Sequence, residues 1–197
     1  MIGIVDTGGA NHASIQNALA RLGCDSRVTL EREVLSACTH LILPGVGHAG
    51  HAMERLNANR LAEFLRAQTK PVLGICLGMQ ILFDSSDEGG GACLGLLPGR
   101  VKRLKADENF RVPNMGWSRL ELSGPSRLLV GISPEAYFYF VHSFAVPNGP
   151  WVRALTPAPQ PIPSVLEWRG FFAVQFHPER SGAGGARLLE NFLAEGV

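Results

Sequence analysis

The feature that most constrains this 197-residue sequence is a Gly-x-Cys-x-Gly stretch formed by Gly74, Cys76 and Gly78. An apolar run over residues 71–75 precedes the cysteine, and apolar residues at helical spacing follow it through Phe83. This order predicts a buried strand, a tight turn and a helix. Hydrolases with a serine nucleophile use the same kind of turn, in which flanking glycines allow a strained backbone at the central residue. We therefore expect a Cβ at either glycine to clash with its surroundings.

The predicted turn makes Cys76 a candidate nucleophile. A sulfur at the start of a helix lies close to free backbone N–H groups, and these favour the thiolate. A lone cysteine is otherwise a small buried hydrophobic residue. A core cysteine, however, does not require a glycine on each side, so the flanking glycines favour the reactive interpretation.

Composition limits the class of protein. Hydrophobic residues make up 46% of the chain and charged residues 18%, which is typical of a soluble globular protein. The length suits one domain, and we expect a single domain over residues 1–197. The formal net charge of +1 argues against nucleic acid as a partner. The sequence shows neither a signal-like start nor an apolar run of membrane-spanning length, so we expect a cytoplasmic protein with no membrane association.

No metal or cofactor is expected from the sequence. The four cysteines have neither a CxxC pattern nor zinc-site spacing, and they are expected to be reduced thiols. His48 and His51 are three residues apart, but no third ligand lies nearby in the sequence. A solvated start of a helix is the simpler interpretation of these two histidines.

Strands and helices alternate in the first half of the chain. Apolar runs predict strands over 2–5, 26–30, 40–43 and 71–75, and apolar periodicity predicts helices over 15–22, 31–37 and 51–67. This alternation indicates right-handed βαβ units and a parallel sheet that is covered on both faces.

The second half of the chain has a different texture. Extended segments are predicted over 99–104, 117–122, 136–146, 151–155, 164–168 and 170–177, before a closing helix over 184–195. Arg169-Gly170 predicts a hairpin turn, and the proline-rich residues 157–163 predict a surface loop. The fold class is therefore α/β, with a mostly parallel central sheet and antiparallel additions in the second half.

A thiol nucleophile usually needs an imidazole that is oriented by a third polar group. His177 ends the predicted strand over 170–177 and is followed by Pro178 and Glu179. Extended backbone before a proline would place the two side chains on the same side, so that the carboxylate could fix the imidazole tautomer. His142, which also ends an apolar run, is the second candidate base.

Acyl transfer also needs N–H donors at the site where negative charge develops. One predicted donor is the backbone N–H of Leu77, the residue after the nucleophile. The loop of Gly45, Val46 and Gly47 can supply another, because its glycines let N–H groups turn inward. An ordinary strand-to-helix turn explains this short loop equally well.

Two motifs together resemble those of the class I, or triad, glutamine amidotransferases. They are Gly-Ile-Cys-Leu-Gly-Met-Gln at residues 74–80 and Phe-His-Pro-Glu at residues 176–179. Flanking stretches are similar to those of the glutaminase subunits of imidazole glycerol phosphate synthases; they cover residues 6–11, 43–47, 112–117, 137–143 and 175–182. The resemblance runs from end to end and implies a flavodoxin-like, three-layer α/β fold.

The resemblance also implies roles for individual residues. It implies Cys76 as nucleophile, His177 as base and Glu179 as the residue that orients the base. It implies that Gln80, with the backbone near Ser143 and Phe144, holds the amino-acid end of glutamine.

Further residues are implied at a partner interface, namely Asn114, Met115 and Trp117. Many relatives have His where Asn114 stands, Tyr where Phe144 stands and Tyr where Thr7 stands. These differences leave the three implied catalytic residues unchanged.

The implied activity is hydrolysis of glutamine to glutamate, with ammonia supplied to a separate chain. In the resembled family that chain is a (β/α)8-barrel cyclase, which forms a heterodimer with the glutaminase. The cyclase converts PRFAR to imidazole glycerol phosphate and AICAR in histidine biosynthesis. Because glycine permits peptide flips, the loop at Gly45 and Gly47 is also expected to rest in a non-productive state until the liganded partner docks.

Three alternatives remain open at this stage. The first is a Cys-His peptidase or esterase with the same turn. The second is a non-catalytic scaffold subunit with a relic site. The third keeps the glutaminase chemistry but serves another synthase, for anthranilate, guanylate or pyridoxal phosphate.

Overall fold

An eight-stranded sheet organises the computed structural model, which describes residues 1–9, 11–158 and 160–196. The strands are β1 Ile2–Val5, β2 Ser26–Thr29, β3 His40–Leu43, β4 Val72–Ile75, β5 Phe83–Ser86, β6 Leu97–Arg103, β7 Asn114–Ser118, β8 Glu121–Leu122, β9 Phe138–His142, β10 Phe144–Ala145, β11 Val152–Thr156, β12 Ile162–Trp168 and β13 Phe171–Val174. The helices are α1 His12–Arg21, α2 Arg32–Ala37, α3 Ala49–Ala58, α4 Leu61–Arg66, α5 Leu77–Gln80 and α6 Gly182–Leu193.

The large sheet has the order β2-β1-β3-β4-β13-β12-β11-β8. All pairs from β2 to β13 are parallel, and the pairs from β13 to β8 are antiparallel. This arrangement confirms the predicted parallel sheet with antiparallel additions. The predicted hairpin at Arg169-Gly170 is also confirmed, since Trp168 of β12 pairs with Phe171 of β13.

Two apolar clusters cover the two faces of this sheet. In β3, Leu41 and Leu43 contribute to one cluster, and Ile42 between them contributes to the other. Helices α2, α3 and α4 pack on the first face, and helices α1 and α6 pack on the second. This packing gives a three-layer α/β architecture in which near-continuous apolar strands are buried on both faces.

Two smaller sheets lie outside the large one. One contains β5, β6 and β10, and the other pairs β7 with β9. Among the described residues, no helix has the length and apolar character needed to cross a membrane.

The helix predicted over 51–67 is wrong as a single element. It is replaced by α3 and α4, which are separated at Arg60, where the backbone is left-handed with φ of 55°. The break lets Leu56 and Leu61 both point into the same apolar cluster, where both are fully buried. Packing has therefore overridden local helix propensity.

The helix after Cys76 is also shorter than predicted. It ends at Gln80, and Phe83 begins strand β5, which the sequence analysis missed. The returning chain at residues 94–96 donates backbone hydrogen bonds to the carbonyls of Ile81, Leu82 and Phe83, at 2.8–2.9 Å. These long-range bonds replace the bonds that a continued helix would make.

All six predicted extended segments have different boundaries in the structure, and three of them differ in which strands they form or include. The segment over 117–122 is divided between β7 and β8, and the segment over 136–146 between β9 and β10. Ile162 and Pro163 belong to β12 and not to the predicted loop. Pro163 is tolerated because it pairs with Leu155 next to an irregularity in the register. Pro159, in the same predicted loop, lies outside the described residues.

The closest backbone approach around the turn gives a stability prediction. A Cβ at Gly78 would lie 1.7 Å from the carbonyl oxygen of Leu43, so Gly78→Ala must displace backbone. We expect the free energy of unfolding to fall by about 3 kcal/mol, as for severe overpacking. Urea denaturation measures this change.

The matched control is Gly124→Ala, because a Cβ at Gly124 meets no atom within 4 Å. Its effect should stay within about 0.5 kcal/mol, as for ordinary surface changes. Equal destabilisation by the two substitutions would contradict the packing argument.

Candidate active site

The turn between β4 and α5 has the strained geometry that the sequence predicts. Cys76 has φ of 53° and ψ of −107°, which is an unusual conformation for a residue other than glycine. A Cβ at Gly74 would lie 2.8 Å from the backbone oxygen of Gly78, and one at Gly78 would be closer still to Leu43. The expected clash at both glycines is confirmed.

The sheet brings Cys76 and His177 to the same edge. Val174 of β13 pairs with Ile75 of β4, and Cys76 N donates to Val174 O at 2.8 Å. Both residues therefore follow the carboxyl ends of neighbouring parallel strands, where α/β sheets form their ligand sites. Cys76 is only 6% exposed, but it lines a cavity of about 240 Å³ together with Leu77, Gln80 and Phe144.

His177 and Glu179 form a buried pair. His177 Nδ1 lies 2.9 Å from Glu179 Oε1, as the sequence predicts. His177 is extended before the proline, as expected, but the chain does not stay extended to Glu179, because Pro178 begins a single 3-10 turn over Pro178–Arg180. The restricted backbone of the proline starts this turn and brings the carboxylate back to the ring.

The charge state of His177 follows from its neighbours. Burial alone would lower its pKa, but the neighbouring side chains of Cys76 and Glu179 outweigh burial and raise the pKa to about 10. Nε2 of His177 is buried and has no aligned hydrogen-bond partner among the described residues. The ring is therefore an imidazolium at neutral pH, with a proton available on Nε2 for a group in the site.

His142, the second candidate base, is held in a neutral form. Its Nδ1 lies 2.8 Å from the carbonyl oxygen of Phe144, and its Nε2 lies 3.0 Å from Nδ2 of Asn114. Burial is the main cause that lowers the pKa of His142, to about 4. Because both ring nitrogens are occupied, the geometry favours His177 as the base.

The loop over residues 45–47 lies against the start of α5. Leu77 N donates to Gly45 O at 3.3 Å, and a Cβ at Gly45 would lie 2.7 Å from Cβ of Leu77. Gly47 has φ of 98°, and Val46 and Gly47 line the same cavity as Cys76. In this conformation the N–H of Leu77, which is the predicted oxyanion donor, is already bonded to the carbonyl oxygen of Gly45.

Gln80 lies in the cavity with the backbone of Ser143 and Phe144. Its Nε2 donates to Phe144 O at 3.1 Å and to Oε1 of Gln175, also at 3.1 Å. The sequence analysis did not single out Gln175, whose Nε2 lies 3.6 Å from the sulfur of Cys76. Its position two residues before His177, at the end of a strand, was the available signal, because such residues share a side.

The residues implied at a partner interface lie on β7, which pairs with β9. Met115 is 63% exposed and Trp117 is 55% exposed, which is unusual for large apolar side chains. Asn114 instead points inward and bonds to His142. Thr7 is buried and donates to the carbonyl of Pro44 at 2.9 Å.

The remaining candidates for metal binding or nucleophilic chemistry include His48 and Cys93. His48 caps α3 by accepting from Gly50 N at 3.2 Å. Within the described ranges, no group of three potential ligands is placed to hold a metal ion. Burial raises the pKa of the Cys93 thiol to about 11, so Cys93 is a poor nucleophile at neutral pH.

The raised pKa of His177 predicts how Cys76 reacts with a neutral alkylating reagent. The positive charge of the imidazolium favours the thiolate of Cys76. Because this charge is lost only as the pH rises through about 10, Cys76 should react readily with the reagent at neutral pH. His177→Asn should slow labelling at neutral pH by about ten-fold or more. Iodoacetamide rates, assigned by peptide mapping, measure this effect.

Cys93 provides the internal control, because it should remain unlabelled in both proteins. Equal rates at Cys76 in the wild type and in His177→Asn would show that the two groups are not coupled.

Comparison with known proteins places this chain in a family. The sequence model of glutamine amidotransferase class-I matches residues 3–195. The imidazole glycerol phosphate synthase subunit HisH of Escherichia coli (strain K12) is 44% identical over 191 residues, which cover 96% of this chain and 97% of the relative. The corresponding subunit of Salmonella typhimurium is 45% identical over the same shares of both chains. A crystal structure described as a glutamine amidotransferase superposes with a TM-score of 0.73 at 22% identity, and the match covers 98% of this chain and 96% of that one. The chain therefore belongs to the class-I glutamine amidotransferase family.

Proposed function

We propose that this chain is the glutaminase subunit of an imidazole glycerol phosphate synthase. The observation that carries the chemistry is that Cys76 lines a cavity and lies close enough to the His177–Glu179 pair to help raise the pKa of His177. The near-full-length similarity to two HisH subunits supports the assignment to this synthase. In this proposal residues 1–197 form one glutaminase domain, which works in the cytoplasm without a cofactor and without binding nucleic acid.

The proposed reaction begins with the thiolate of Cys76. Sulfur attacks the side-chain amide carbon of glutamine, and the carbonyl oxygen becomes an oxyanion. His177 gives the proton on Nε2 to the amide nitrogen, the C–N bond breaks, and ammonia leaves a thioester on sulfur. His177 then accepts a proton from water, the resulting hydroxide attacks the thioester, and glutamate and the thiolate are released. Glu179 keeps the ring oriented throughout.

Two groups of residues are proposed to hold the substrate. The N–H of Leu77 and the loop of Gly45, Val46 and Gly47 would stabilise the oxyanion. The amino-acid end of glutamine would bind near Gln80, Ser143 and Phe144, which line the same cavity.

The ammonia is proposed to pass to a separate cyclase subunit of (β/α)8-barrel type in a heterodimer. That subunit would convert PRFAR to imidazole glycerol phosphate and AICAR. The exposed Met115 and Trp117 on β7 support a partner surface at this position, since large apolar side chains are costly to leave in water. A different synthase as acceptor remains the alternative, and co-purification of the partner chain distinguishes the two.

Removal of the nucleophile tests the proposed reaction directly. Cys76→Ala removes the sulfur that forms the thioester, so glutamate release by the complex should fall by roughly 10⁴-fold or more. The matched control is Cys24→Ala, because Cys24 packs at the edge of an apolar cluster, bonds to the carbonyl of Leu22 at 3.8 Å and does not line the cavity of Cys76. Enzyme-coupled glutamate detection measures both variants.

A glutamine-mimicking chloroketone separates the glutaminase from a peptidase or an esterase. It should label Cys76, and glutamine should protect the thiol. Glutamate release by the complex that is lost in Cys76→Ala would exclude a scaffold role, whereas undiminished release by Cys76→Ala would contradict the proposed function.

The Gly45–Gly47 loop predicts that activity depends on the partner. Because the N–H of Leu77 is bonded to Gly45 O, the resting site lacks one proposed oxyanion donor. We expect glutamine hydrolysis to be slow in the isolated chain and to rise by roughly 10²-fold or more when the liganded partner docks, as for gain of one such donor. Steady-state rates with and without the partner and its ligand measure this rise, and equal rates would refute it.

A further inference from the structure

A continuous chain of hydrogen bonds runs inside the protein from Asn114 to Cys76. It passes through His142, the backbone carbonyl of Phe144, Gln80 and Gln175. Each contact from Asn114 to Gln175 is 2.8–3.1 Å long, and the last contact joins Gln175 Nε2 to Sγ at 3.6 Å. The glutaminase mechanism does not use Gln175, although its amide touches the reacting sulfur.

The direction of this chain is fixed at the carbonyl of Phe144. A backbone carbonyl can only accept hydrogen bonds, so the ring nitrogen that faces it, Nδ1 of His142, must carry a proton. Gln80 contacts the same oxygen, and that contact must come from its Nε2 and not from its amide oxygen. The orientation of the Gln80 amide is therefore set by chemistry.

Gln80 in turn sets the orientation of Gln175. The second N–H of Gln80 points at Gln175, so the Gln175 atom that it meets must be the acceptor Oε1. The amide nitrogen of Gln175 is then the atom directed at the sulfur. The reversed orientation would oppose two N–H donors and place an amide oxygen against the sulfur.

Burial strengthens this last contact. Gln175 is 0% exposed and Gln80 is also buried, so water does not compete for the amide donors. The carbonyl of Val141, 3.8 Å from Sγ, can accept from the thiol but cannot stabilise an anion. Among the described neutral groups, Gln175 supplies a donor that favours the anionic sulfur.

We propose that Gln175 is a catalytic residue that donates a hydrogen bond to the sulfur of Cys76 and holds it in the reactive thiolate form. Gln80, bonded to the Phe144 carbonyl, is the positioning residue that aims this donor. The inference rests on the proposed function only in taking Cys76 as the nucleophile.

The test is the pH profile of Cys76 alkylation by iodoacetamide in the full chain carrying Gln175→Met. Methionine matches the side-chain length of glutamine but donates no hydrogen bond. The alkylation rate of Cys76 at neutral pH should fall by about ten-fold, and the midpoint of the rate–pH curve should move to higher pH. The rate reached at high pH should not fall, because losing a hydrogen bond to a charged group changes the fraction of thiolate and not its intrinsic reactivity. A purely structural role would lower the plateau and leave the midpoint in place.

Other titratable groups face the same site and must be kept unchanged. His177, Glu179, His142 and Glu88 are retained in every variant, so their contributions cancel in the comparison. The matched control is Gln68→Met, because Gln68 Nε2 donates to Phe64 O at 2.8 Å in helix α4 and not to the site. Its profile should equal that of the wild type.

Gln80→Met gives an independent arm. It leaves Gln175 in place but removes its orienting contact, so the midpoint should move in the same direction by a smaller amount. This variant decides the test if Gln175→Met does not fold, as judged by circular dichroism. An unchanged midpoint in folded Gln175→Met, or in Gln80→Met when it is the deciding variant, overturns the proposal.

Alkylation is independent of glutamine turnover and of the partner. Absence of glutamate release by the wild-type complex would reject the proposed function and leave the alkylation shift standing. Normal glutamate release with no alkylation shift would reject the role of Gln175 alone.

Discussion

The site depends on how closely the backbone of the Cys76 turn approaches the end of β3. At residue 78 no room exists for a Cβ, because the carbonyl of Leu43 occupies that position. Residues 74 and 45 have similarly little space next to α5. Glycine at all three positions lets the strand end, the loop and the helix start pack together, and this packing holds Cys76 in a left-handed conformation. The position of the sulfur is therefore a consequence of backbone packing and not of side-chain choice.

The sequence predicted the elements that local patterns determine. Strands β1 and β3 were predicted with their observed boundaries, and the contact between His177 and Glu179 was predicted from their positions on either side of Pro178. Long-range contacts determined what was missed. The early end of α5 comes from hydrogen bonds supplied by residues 94–96, and Arg60 breaks a helix because both halves pack on one cluster.

Polar detail was still harder to predict. The orientation of the Gln175 amide depends on Gln80 and on the carbonyl of Phe144, which are far from it in sequence. The peptide at Gly45 directs its oxygen toward Leu77, and no property of a Gly-rich tetrapeptide determines that choice. Such details depend on which donors and acceptors the fold brings together, and they become visible only in three dimensions.

Strand β7 links the surface to this polar interior. Met115 and Trp117 project to solvent, whereas Asn114, the first residue of the strand, bonds to His142 and so joins the hydrogen-bond chain to Cys76. A shift of β7 would change the position of Asn114 relative to His142. The same strand therefore carries two exposed apolar side chains and a contact with the buried network.

The two histidines have different charge states at neutral pH, and this has a consequence for the charge of the site. Burial lowers the pKa of His142 to about 4, and the side chains of Cys76 and Glu179 raise the pKa of His177 to about 10, so a change of bulk pH around neutrality titrates neither ring. One imidazole remains neutral and the other remains cationic through ordinary swings in acidity. With respect to these two rings, the charge of the site is therefore insensitive to modest changes of pH around neutrality.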